Sequence, residues 1–376
     1  MNDDYAAEPA SEPVPFPQAR VHNAVRFQCR VYIPSEQQSF VAPNVIRPNH
    51  QGGDDSDSDA SRVSSVSTGD PQVAYMIVRE LQRALVGMVY LAMVLNRRIG
   101  EENDPSHDAE WEVTDQQVAI KEIDLTRGSV TNEVRAMRYI QNYSNLIQNL
   151  NHVSVPRDVL FEAINRRHLW MVMPYHGSEF PYQRIDPDGR MRAWTEHEAR
   201  ELFRRMLSAM AEMQQMRLSH RDVSAENLIL DGQRCVVIDF ATNIRLPYDN
   251  DQRLLVKNTQ RVGKVQYMAP EMFNRLPYDG FAVDLWACAI MLFRMTTGCF
   301  AFQLPSPTAP NFTELTSNDP IQFTVAFNRI IQIADNPLPM PSPLLMDLLQ
   351  RMMAYNPTER LSLRQIQNHA WMTMQL

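Results

Sequence analysis

The chain has 376 residues and is 44% apolar, enough for one large two-lobed domain or about two to three smaller ones, and too apolar for a chain disordered throughout. Its 36 basic and 44 acidic side chains leave a net charge of −8, which argues against a nucleic-acid partner held by bulk electrostatics. Cys29, Cys235, Cys288 and Cys299 show no CxxC spacing, the N-terminus has no basic-then-apolar leader, and no run reaches ~18 apolar residues, so the expectation is a soluble cytoplasmic protein without a membrane span, the nucleus left open.

Residues 1–72 carry ten acids against five arginines, scattered prolines and the block GGDDSDSDASRVSSVSTGD at 52–70. Such a block cannot bury enough apolar surface to offset its chain entropy, which predicts a disordered acidic, Ser- and Pro-rich tail over 1–72. Within it, residues 21–46 are β-prone and read either as a strand or docking peptide or as tail with incidental hydrophobes; they are assigned to the tail. From 73 on, β-rich runs at 75–78, 86–94, 118–123 and 169–173 predict a strand-rich first lobe, about 73–173. From Thr195 the period turns helical. Ala199, Leu202, Phe203, Met206, Leu207 and Met210 share a stripe, and Thr195 with Glu198 matches a capping box, so a helical second lobe is predicted over about 177–376.

Four fragments then occur in fixed order: VAIK (118–121), HRDVSAEN (220–227), DFA (239–241) and APE (269–271). Together they resemble the eukaryotic protein kinase family, in its divergent serine/threonine-like form, over roughly 73–371. The resemblance implies an α+β bilobal fold, a small β-rich lobe on a larger helical one, and transfer of the γ-phosphate of MgATP to serine and threonine hydroxyls of protein substrates. Phosphoryl transfer leaves little covalent work to the protein, so catalysis is positioning and charge neutralisation. By the resemblance Lys121 grips the α and β phosphates and pairs with Glu133, Asn227 and Asp239 hold Mg²⁺, and Asp222 orients the attacking hydroxyl. Val89, Ala119 and Ile229 sandwich the adenine, Met173 is the gatekeeper, and Pro174 and His176 form the hinge.

The departures carry their own expectations. Of the phosphate-covering G-x-G-x-x-G loop only Gly87 survives; Gln82 and Ala84 remove backbone freedom where two glycines belong. Ala241 replaces the glycine after Asp239-Phe240, where a Cβ is expected to restrict the metal-binding aspartate. The lysine usual two residues after the catalytic aspartate is Ser224, and the usual threonine after Gly263 is Lys264; the exchange predicts that Lys264 supplies the γ-phosphate charge. The stretch from Lys121 to Glu133 is short, which implies a late-starting helix and, if the two cannot meet, a failed active geometry. An acidic insertion before 118 reads as a solvated loop.

Arg221 is the residue that in many relatives grips an activation-loop phosphate, and Thr259 is the expected site, which implies an upstream kinase as partner. The residue pair Glu226-Asn227 resembles the serine/threonine branch. A pseudokinase, serving as a nucleotide- or protein-binding scaffold or allosteric regulator, is the alternative the missing glycines and Ala241 keep open. A small-molecule phosphotransferase is a third, against which the APE segment and Arg360 speak.

Overall fold

The computed structural model describes residues 10–17, 22–48, 72–84, 87–98, 110–126, 132–146, 150–162, 167–178, 180–181, 193–257, 260–333 and 340–374. They form two compact units: a strand unit (Pro17–Asn142 and Val155–Tyr175) and a helical unit (Met1–Phe16, Tyr143–Ser154 and His176–Leu376).

After β1 (Ala10–Ser11), which belongs to the helical unit, come β2 (His22–Ile33), β3 (Gln38–Pro48), β4 (Val73–Ala84), β5 (Gly87–Arg97), β6 (Trp111–Asp124), α1 (Asn132–Leu146), β7 (Asp158–Glu162) and β8 (His168–Pro174). The strands of this unit close into a barrel in the order β2-β3-β4-β5-β6-β8-β7. Closure comes from β2, which runs parallel to β7 at His22↔Leu160 and to β6 at Val31↔Trp111. Ala24, Ile46, Tyr75, Val118, Ile120, Trp170 and Val172 fill one core, and Cys29, Val31, Val45, Leu95 and Trp111 a second.

Residues 22–48 therefore correct the predicted tail: they are strands, held by pairing within the barrel and by buried side chains on both faces, Ala24 and Ile46 in one core and Val31 and Val45 in the other. The block 52–70 lies outside the described residues, as do residues 99–109 of the insertion expected as a solvated loop; its residues 96–97 and 111–117 correct that expectation, since they extend β5 and β6 as paired strand. The four predicted strand runs are β4, β5, β6 and β8.

The helical unit follows with α2 (Glu196–Gln215), β9 (Leu218–Ser219), β10 (Leu228–Asp231), β11 (Arg234–Val237), β12 (Ile244–Arg245), β13 (Tyr248–Asp249), β14 (Gln252–Arg253), β15 (Leu255–Val256), α3 (Pro270–Phe273), α4 (Gly280–Thr297), α5 (Phe312–Leu315), α6 (Pro320–Ile333), α7 (Pro343–Met352), α8 (Leu363–Gln367) and α9 (Ala370–Thr373). Helix α2 starts at the capping box read from the sequence: Thr195 Oγ1 accepts from Glu198 N–H and the Glu198 carboxylate accepts from Thr195 N–H. Its buried stripe is the predicted one. Helix α4 is long and apolar enough to span a membrane, yet 89% of it is buried inside this unit, as a core helix is. Three side chains hold the unit's frame. Arg360 forks onto Glu271 at 2.6 and 2.8 Å, both buried, and its guanidinium lies 4.5 Å from the Trp286 ring centroid.

Candidate active site

In the strand unit, Lys121 sits mid-barrel on β6, paired with Val89 on β5 and Met171 on β8. The described part of helix α1 opens at Asn132, one residue before Glu133, and Glu133 lies in its first turn, where the helix dipole favours a carboxylate. Lys121 Nζ donates to Glu133 Oε1 at 2.5 Å, and both side chains are buried. The two residues therefore meet, so the condition for failure is not fulfilled. Ala119 pairs with Met173, and Val118 with Pro174, so the residues expected at the adenine site and gatekeeper in this unit lie on adjoining strands.

The degenerate loop has a physical account. Gln82 pairs with Val89 and Ala84 with Gly87 in a hairpin whose described residues all avoid positive φ, so extended backbone accepts the side chains at 82 and 84. Gly87 is required by packing: a Cβ there would lie 1.7 Å from the Glu122 carbonyl oxygen of β6.

In the helical unit the segment 220–227 between β9 and β10 is fixed from beneath. Asp284, buried in α4, accepts the backbone N–H of His220 and of Arg221, each at 2.8 Å; burial pushes its carboxyl pKa up and these bonds oppose that. The Asp222 N–H donates to His220 Nδ1 at 3.3 Å, so Nδ1 is an acceptor and the proton sits on Nε2, which donates to the Ile238 carbonyl at 3.1 Å.

Asp222 is the convergence point. Its Oδ1 accepts Lys264 N–H at 2.9 Å, and its Oδ2 accepts from Asn227 Nδ2 at 2.9 Å and from Lys264 Nζ at 3.3 Å. Lys264 Nζ also donates to Ser224 Oγ at 2.8 Å and lies 3.8 Å from Glu226. The exchanged pair is thus in direct contact, and the partly exposed ammonium stands against the carboxylate. Gly263 lets this happen: its φ is +83°, and a Cβ there would be 2.4 Å from the Arg221 carbonyl oxygen.

Asn227 and Asp239 are brought to one end of the β10–β11 hairpin, where Leu228 pairs with Val237 and Ile238 N–H donates to the Asn227 carbonyl. Both protons of the Asn227 carboxamide serve Asp222, at its carbonyl and its carboxylate, which leaves the carboxamide oxygen for another partner. Asp239 adopts φ +60°, a left-handed backbone uncommon outside glycine and enriched at functional sites. Ala241 is not at positive φ, so the expected restriction by its Cβ carries no backbone strain.

His176 and Ile229 also lie in this unit. The His176 ring is held between Asp231, at 3.1 Å, and Ser154, at 3.3 Å, a fixation that a hinge role read from backbone position alone did not contain. Arg221, at φ +64°, donates through Nε to the Thr242 carbonyl and through Nη1 to the Tyr278 hydroxyl. Thr259 lies outside the described residues. Tyr278, Gly263 and Ser219, whose hydroxyl donates to the Gly280 carbonyl, support the site without having been singled out; their signal is only their place beside the motifs.

Comparison with known proteins agrees with this geometry. The model of the protein kinase domain matches residues 108–372. Serine/threonine-protein kinase SAPK7 of Oryza sativa subsp. japonica is 30% identical over 262 residues, 66% of this chain and 67% of its own length. Serine/threonine-protein kinase SRK2E of Arabidopsis thaliana is 30% identical over 261 residues, 66% of each chain, and SRK2A of Physcomitrium patens 29% over 262 residues, 66% of this chain and 69% of its own. The matched stretch spans about two thirds of these relatives.

Proposed function

The chain belongs to the protein kinase family, and we propose that it transfers the γ-phosphoryl group of ATP to serine and threonine hydroxyls of proteins, with Mg²⁺ as the metal. The observation that carries this reading is the cluster of Asp222, Asn227, Ser224 and Lys264, in which a carboxylate is aimed by an amide and a backbone N–H and faced by an ammonium.

The donor set fits a hard cation. The carboxamide oxygen of Asn227 and the carboxylate of Asp239 are oxygen ligands of the kind Mg²⁺ takes, and the two residues are neighbours through the Ile238–Asn227 backbone bond. When bound, the metal would neutralise phosphate charge, and Lys121, paired with Glu133, would add to that. Asp222 accepts the proton of the substrate hydroxyl and holds that oxygen in line. Lys264 supplies the cation that Ser224 lacks.

The pseudokinase reading is not favoured, because the relatives are named serine/threonine-protein kinases; the extended backbone at Gln82 and Ala84 and the unstrained Ala241 are compatible with that. The serine/threonine assignment rests on the named relatives and on Glu226-Asn227. Incubation with a generic basic protein followed by phosphoamino-acid analysis tests it: phosphoserine and phosphothreonine are expected, and phosphotyrosine alone would refute it.

A further inference from the structure

The segment just before the barrel, Glu12-Pro13-Val14-Pro15-Phe16, reads as tail in the sequence, yet it is built into the helical unit. Strand β1 runs parallel to β15 with Ala10 beside Leu255 and Ser11 beside Val256, and Lys257 N–H donates to the Ser11 carbonyl at 2.9 Å. Val14 N–H donates to the Arg245 carbonyl at 3.0 Å, the Arg245 guanidinium donates to the Pro15 carbonyl at 2.7 Å, and Phe16 is buried. The alternating prolines keep this stretch extended and leave Val14 and Phe16 as its N–H donors from 13 to 17, both on one edge of the extended chain.

Both points of attachment lead to Asp222. Arg245 pairs with Leu218 and Ile244 with Ser219, the residues that run directly into His220, Arg221 and Asp222. Val256, on its other side, exchanges two backbone bonds with Tyr278, at 2.7 and 3.0 Å, and the Tyr278 hydroxyl accepts from Arg221, next to Asp222. Between these points the segment makes its own hairpin, β13 with β14, turned through Asn250 and Asp251 at positive φ.

We propose that residues 10–16 are a positioning strap, clamping the activation segment at Arg245 and at 255–257 and so holding the protein-substrate platform and the Arg221–Asp222 backbone in working register. The consequence for catalysis rests on the phosphotransfer reading above; the clamping itself does not. Glu12 and Lys257, 3.5 Å apart and exposed, add little to it.

The test uses the full chain and the double variant Val14→Pro/Phe16→Ala, which removes one backbone donor and the buried ring. Hydrogen exchange read by mass spectrometry is expected to show protection of the peptide covering 254–257 falling about tenfold or more, with α4 unchanged. The KM for a protein substrate rises about tenfold while that for ATP stays, and Phe16→Leu, which keeps an apolar side chain, restores most of both. Unchanged protection at 254–257 overturns the proposal whatever the activity. Loss of protection throughout α4, in the double variant and in Val14→Pro alone, also overturns it, because residues 10–16 would then belong to the core. If the native chain transfers no phosphate, the function proposed above falls and the exchange data still decide the strap.

Discussion

Replacing Lys264 with alanine removes the ammonium from Ser224 Oγ, 2.8 Å away, and from Asp222 Oδ2, 3.3 Å away, but keeps the backbone N–H that Asp222 Oδ1 accepts at 2.9 Å. Asp222 therefore stays aimed and loses only its facing cation. A hydrogen bond to a charged group is worth about 1.5–3 kcal/mol, and the partial exposure of Lys264 places this one at the low end. About 1.5 kcal/mol in the transition state corresponds to roughly a tenfold lower kcat. Initial rates of labelled phosphate transfer, with ATP and protein substrate varied separately, read this directly. The reverse exchange, Ser224→Lys with Lys264→Thr, puts the ammonium back at the position usual in the family and should recover most of the loss. If Lys264→Ala turns over like the native chain while Lys121→Met is dead, the reasoning about this pair is refuted.

Breaking the Arg360–Glu271 fork by Arg360→Ala leaves a buried carboxylate unpaired, and should destabilise the chain by about 3–5 kcal/mol, seen as a lower denaturation midpoint; a loss below about 1 kcal/mol would contradict the burial. Burial holds the His176 imidazole below its ordinary pKa, with Asp231 opposing and Arg234 adding to the shift. A base lowered in the folded state contributes stability that is complete above its unfolded value, about 6.5, and is lost as pH falls toward the folded one. The melting temperature should thus drop between pH 7.5 and 5 by more in the native chain than in His176→Gln; an equal drop would contradict this. Burial pushes the thiol of Cys29 up to about 11, that of Cys235 to about 12, and that of Cys288 well up, so a thiol reagent at pH 7.5 should label Cys299 in the native chain and all four after unfolding. Rapid native labelling of Cys235 would count against that core.

What the sequence disclosed and what it hid divide along physical lines. Lys121, Asp222, Asn227 and Asp239 could be singled out as candidates because the proposed phosphate and metal chemistry restricts residue type at fixed spacing, and α2 was legible because its cap and its stripe are local. The β2–β3 hairpin was not, although its alternation was visible: its place depends on pairing with β6 and β7, more than seventy residues on, and no local signal announces such a partner. The strap was hidden by its own chemistry, since acids and prolines that suit an extended edge also describe a tail. At Ala241 and the loop at 82–84 the structure adds the backbone conformation that the sequence does not show. Glycine was expected where a family pattern has it, whereas the backbone here reaches positive φ at Asp239 and stays extended at Gln82 and Ala84.

The central claim is that Lys121, Asp222, Asn227 and Asp239 act together on one nucleotide and its metal. The direct measurement is incubation of the purified full chain with γ-labelled ATP and Mg²⁺, beside Asp239→Ala and Lys121→Met, with thermal melting to confirm that all three are folded. Label on protein serine and threonine in the native chain, falling to background in both variants, is the predicted result. Equal label in all three folded proteins, or none in the native chain, would contradict it.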